Sequence, residues 1–106
     1  TLFPYTTLFR SYEILKEDVR PSVTNFYIFY KETNFTEDDV SKFALSFRKE
    51  KDVKCNIHII DSMEIVDFMD IFTNLPKKQK ELKADHFIAT LFFDTNNILW
   101  YPFKEK

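Results

Sequence analysis

The chain has 106 residues, 44% of them hydrophobic and 30% charged, with a formal net charge of −2. This length supports one domain with a modest core, and the balance excludes a disordered chain. Acidic and basic residues are interspersed, which removes any general electrostatic case for nucleic acid, and no apolar run reaches the ~18–20 residues of a membrane helix.

Thirteen Phe and five Tyr predict a core dominated by aromatic rings. Glycine is absent, so a glycine-rich phosphate cradle is excluded and turns fall to Asn, Asp, Ser or Pro. The single Cys55 rules out an intramolecular disulfide and any multi-cysteine zinc site.

Residues 1–11 (TLFPYTTLFRS) are similar, residue for residue, to the translation of a common short-read sequencing adapter. That resemblance implies an artefactual segment on a metagenomic fragment truncated at its N-terminus, with a signal peptide, lipid-anchor cysteine or further domain missing. The competing reading is a natural β-prone segment. Without residues 1–11 the chain loses Arg10, leaving 14 basic against 17 acidic side chains and a net charge of −3. The domain proper is then 12–106.

Residues 12–19 alternate in polarity and predict a short edge strand, with a helix fragment as the alternative. Arg20 and Pro21 break the chain. Residues 24–31 are apolar on both faces, Phe26, Ile28 and Tyr30 against Tyr27 and Phe29, as an interior strand requires. Thr36 is an N-cap that Asp39 completes as a capping-box-like pair, and Val40, Phe43, Ala44 and Phe47 form one helical stripe over 36–51. Residues 53–61 form the next strand, with Val53, Cys55, Ile57 and Ile59 on one face and Lys54, Asn56, His58 and Ile60 on the other. A strand–helix–strand unit this tight predicts a parallel crossover.

Ser62 caps an expected second helix over 62–72, whose stripe is Ile65, Phe68, Met69 and Phe72. Residues 77–83 read as a charged loop or short helix. A strand over 86–93 places Phe87, Ala89, Leu91 and Phe93 opposite Ile88 and Phe92. A turn at 94–97 follows, in which Asn supplies the left-handed conformation, and then a last edge strand over 98–103, limited by Pro102. The fold class is α/β (α+β), with a mixed sheet of four or five strands and two helices in the order (β)βαβαββ.

Cys55 is the one thiol nucleophile available, but His58 points to the opposite face of the same strand, so only His86 could serve as its base. The ordinary role of such a cysteine is a small core residue. A metal site would need His58, His86 and carboxylates such as Asp61 or Asp85 to converge, and no ligand-motif spacing is present. Glu37, Asp38 and Asp39 read as helix-start electrostatics, and the 77–83 lysines as a solvated surface. Trp100, Tyr101 and Phe103 are the candidate interaction patch. Residues 98–103 are all large and apolar or aromatic, and alternation sends half of them outward, toward a partner bound by strand addition or as a hot spot. The alternative is that other elements cover both faces.

From residue 24 onward the element order resembles a thioredoxin-like core, without Cys-x-x-Cys or the closing helix, so redox function is not implied. Ala84-Asp85-His86-Phe87, Leu91-Phe92-Phe93-Asp94 and Trp100-Tyr101-Pro102-Phe103 also resemble small uncharacterised α/β domains of bacterial surface or lipoprotein-type proteins. That resemblance implies a bacterial, exported or surface-anchored protein. The expected function is a non-catalytic protein-interaction or accessory domain, with no cofactor and with a protein partner on the aromatic hairpin. The alternative is a small enzyme or metal-binding domain using His86, His58, Cys55 and Asp61.

Overall fold

A computed structural model describes residues 11–105, so all but one of the adapter-like residues lie outside it. Its elements are β1 (Tyr12–Val19), β2 (Thr24–Tyr30), α1 (Glu37–Glu50), β3 (Cys55–Ile60), one 3-10 turn (Met63–Ile65), α2 (Lys77–His86), β4 (Phe87–Leu91) and β5 (Leu99–Trp100). The five strands form one mixed sheet in the order β1-β2-β3-β4-β5. The β2/β3 pair is parallel and the other three are antiparallel. The α+β class and the ββαβαββ order follow the sequence reading.

The two parallel strands set the architecture, because both of their faces are covered. On one side Phe26, Ile28 and Tyr30 of β2 and Cys55, Ile57 and Ile59 of β3 pack with Val40, Ala44 and Phe47 of α1. On the other, Tyr27 and Ile60 pack with Ile65, Phe68, Met69 and Phe87. Helix α1 starts as its sequence dictates. The Asp39 N–H donates to Thr36 Oγ1 at 3.1 Å, and Asp39 Oδ2 accepts from the Thr36 N–H at 3.0 Å. Val53 precedes β3 and is exposed, so the strand is shorter than its apolar pattern.

The second helix is displaced from its expected place. Over 62–72 the chain makes i to i+3 bonds, Val66 to Met63, Phe68 to Ile65 and Ile71 to Phe68, and forms no α-helix. Ser62 caps only the 3-10 turn, its Oγ accepting from the Glu64 N–H. β-branched Ile65, Val66 and Ile71 and the backbone-competing Asp67 and Asp70 weaken helix propensity here, and three-residue spacing still turns Ile65 and Phe68 to the sheet. The charged stretch becomes α2 instead, whose residues 77–84 are Lys, Gln, Glu, Leu and Ala, all strong helix formers.

A register irregularity corrects the expected faces of β4. Ile59 pairs with Ala89 but Ile60 pairs with Phe87, leaving Ile88 as the extra residue. Phe87 therefore joins the Tyr27 and Ile60 core, while Ala89 and Leu91 belong to the α1 side. The last strand is also shorter than expected. It ends at Trp100 because Tyr101 adopts φ 44°. Without glycine, the left-handed backbone among the described residues falls on Asn74 and Tyr101, not on the 94–97 turn.

These environments separate two phenylalanines of the same stripe. Phe47 is 3% exposed, and Phe43 is half-buried against Tyr12 and Tyr30. Urea unfolding of Phe47→Ala is expected to show a loss of about 3–5 kcal/mol. Phe43→Ala should lose only about 1–2 kcal/mol, since part of its ring already meets water.

Candidate functional site

The residues 98–103 divide between the two cores. Trp100 and Tyr101 are half-buried and pack, with Ile98, against the α1-side core. Phe103 packs on the opposite one, its ring centroid 4.9 Å from that of Phe87 and 5.6 Å from that of Phe72. The strongly exposed apolar side chains of this hairpin are Phe92 (41%), Phe93 (43%) and Leu99 (46%). Leu99 lies opposite Thr90, on the sheet face that carries His58.

Arg48 of α1 holds the hairpin in place. Its Nη1 donates to the Phe92 carbonyl at 2.7 Å and also to that of Thr95, while Nη2 donates to Asn96 Oδ1. Within the turn the Asn97 N–H donates to Thr95 Oγ1. One guanidinium thus gathers acceptors from the end of β4 and from within a glycine-free turn. Asn56 of β3 adds a further tie, its Oδ1 accepting from the Phe93 N–H at 2.9 Å.

The polar residues expected to converge separate into distinct environments. Cys55 is fully buried in the α1-side core, and burial pushes its thiol above the usual range. His58 lies on the other face, stacked on Tyr27 with centroids 4.7 Å apart. Its Nε2 meets Asn25 Oδ1 at 2.9 Å and its Nδ1 meets Thr90 Oγ1 at 3.1 Å. The Asn25 oxygen only accepts, so the network assigns the proton to Nε2, and Nδ1 accepts from the Thr90 hydroxyl. Asn25 Oδ1 also accepts from the Asn56 amide at 3.0 Å. Burial, with Lys83 adding to it, pushes His58 down to about 4, so the ring is a neutral structural member of the sheet.

His86 and Asp61 do come together. Nδ1 and Oδ1 are 2.9 Å apart at the junction of β3 with the end of α2, and the Asp61 N–H donates to the His86 carbonyl at 3.0 Å. A carboxylate that orients an imidazole is an acid–base arrangement. Tyr101 lies within its field, its phenol raised chiefly by burial and further by Asp61 and Glu37. Asp85 is exposed on α2. Among the described residues no set of three or more His, Cys, Asp or Glu side chains is placed to hold a metal ion. No helix among them is long and apolar enough to cross a membrane.

Sequence reasoning missed Lys83, placed with the solvated lysines but 2% exposed here. It had no apolar-pattern signal to announce it. Comparison of the chain with protein-family models, curated proteins and solved structures finds no match.

Two outcomes are expected. Arg48→Ala should cost about 0.5–1.5 kcal/mol, since water can reach the freed acceptors, and should speed amide hydrogen exchange over 92–97. His58 is neutral when folded and gains a proton more readily when unfolded, so its contribution is full above pH 6.5 and is lost as pH falls toward 4. Over that interval the wild-type chain should lose about 2–3 kcal/mol more than His58→Gln, read as the difference between their urea-unfolding curves at the two pH values.

Proposed function

We propose that the protein is a non-catalytic interaction module whose contact surface is the β4–β5 hairpin. The observation that carries this reading is the exposure of Phe92, Phe93 and Leu99 on one hairpin clamped by Arg48. Large apolar side chains on a rigid support lose little entropy when a partner covers them, which is how hot spots work. Trp100 and Tyr101 contribute their outer edges and fix the patch to the core. β5 spans only two residues, so it offers little backbone for strand addition, and side-chain contact is the mode supported.

The partner is a protein or peptide segment carrying apolar or aromatic side chains. An accessory role in an exported bacterial protein enters this reading from the resemblance of the 84–103 stretch alone. The enzyme alternative keeps the Asp61–His86 pair, but Cys55 and His58 are turned away from it into separate cores.

Selection of a random peptide library against the domain tests the proposal. The expected binders are rich in Trp, Phe, Leu or Tyr, and they lose at least about tenfold in affinity against the Phe92→Ser/Phe93→Ser/Leu99→Ser variant. Selected peptides that bind this variant as tightly as the wild type would exclude the hairpin as the contact surface.

A further inference from the structure

A cavity of about 740 Å³ opens between the 71–75 loop, α2 and the 103–105 segment, apart from the hairpin surface. Its size lies within the roughly 300–1,000 Å³ of small-molecule sites. Ile71, Phe72, Leu75 and Phe103 form its apolar wall, and Lys83 lies among them. The Lys83 Nζ is 4.2 Å from the ring centroid of Phe72 and 4.1 Å from that of Phe103, and it donates to the Ile71 carbonyl at 2.5 Å.

What Lys83 lacks is a counterion. Among the described residues no carboxylate forms an ion pair with it. Burial pushes its pKa down to about 8, and Asp70 opposes that shift only from a distance. Buried charges in proteins are ordinarily paired, because desolvation is costly and one carbonyl with three rings, those of Phe72, Phe103 and Phe87, offsets only part of it. Phe72, one of the three rings around the ammonium, is itself 55% exposed, so the cavity wall presents an apolar surface to solvent.

We propose that this cavity binds a small amphipathic monocarboxylate, with its carboxylate as counterion to Lys83 Nζ and its apolar body against Phe72, Leu75 and Phe103. One buried ammonium matches one negative charge. A phosphate dianion would call for several convergent donors, which the apolar wall does not supply. The lining also holds Lys77, Lys80 and Lys104 with Glu81, Asp85 and Glu105, so the remaining charges balance and Lys83 makes the selection.

Octanoate titrated into isotope-labelled protein, with octanol as the neutral analogue, tests this by amide chemical shifts. Saturable shifts should map to 71–75, 77–86 and 103–105, with octanoate at least about tenfold tighter than octanol. Lys83→Met keeps the side-chain bulk and should abolish that preference while leaving octanol binding unchanged, and Lys83→Arg should retain it. Equal affinity for octanoate and octanol, absence of saturable binding, shifts that map outside the cavity, or undiminished octanoate preference in Lys83→Met would each overturn the proposal. The octanoate-to-octanol comparison on the wild-type chain decides the matter even where Lys83→Met does not fold.

Discussion

The parallel pairing of β2 with β3 is the constraint on which the rest of the structure depends. A strand such as β2, apolar on both faces, is stable only when both faces are covered, and no residue of β2 or β3 is fully exposed. Helix α1, the crossover between them, covers one face. The other face has no crossover of its own and is covered by the connection from β3 to β4. That long connection has to reach back across the sheet. A Lys16–Asp70 ion pair ties it to β1, and within it the Lys83 bond to the Ile71 carbonyl ties the 62–72 segment to α2.

The same demand explains the irregularity in β4. Regular alternation would place Phe87 beside Ala89 and Leu91, crowding the α1 side and leaving Ile60 and Tyr27 short of cover. The extra residue, Ile88, rotates Phe87 onto the opposite face, where it meets Tyr27, Ile60 and Phe103. The carbonyl of Ile88 then accepts from the Tyr101 N–H at 2.9 Å, so the bulge also anchors the end of β5. The left-handed backbone of Tyr101, unfavourable for a residue with a Cβ, begins at that anchor.

Elements whose local signals agree were legible in the sequence. The Thr36 cap, the acidic first turn and the Val40–Ala44–Phe47 stripe all specify α1, and the two-faced apolar pattern specifies β2. The stripe through Ile65, Phe68 and Met69 misled because i to i+3 spacing serves a 3-10 turn as well as an α-helix. Helix α2 was obscured for the opposite reason. Its buried contact is the stem and ammonium of Lys83, which apolar periodicity does not register. At the candidate site, the sequence marked residues 98–103 as a run of large apolar and aromatic side chains. It could not assign which aromatics face outward, because Tyr101 ends the alternation and a bulge in the neighbouring strand shifts the faces. His58 and Cys55 could be separated by strand parity, whereas the Asp61–His86 contact depends on where α2 ends.

The sequential strand order carries a consequence for how the chain folds. Every strand pairs with its neighbour in sequence, so no strand must be inserted between two already formed. The β1–β2 hairpin closes over a four-residue connection and β4–β5 over residues 92–98, whereas the β2–α1–β3 and β3–β4 closures span far longer connections. Since the entropy of closing a loop rises with the separation it spans, the two outer strands β1 and β5 join their neighbours by the short steps and the central pairings by the long ones. The hairpin proposed as the contact surface is then the terminal addition. It lies at the sheet margin, where local opening costs least, and the Arg48 clasp to α1 ties this margin back to the folded centre.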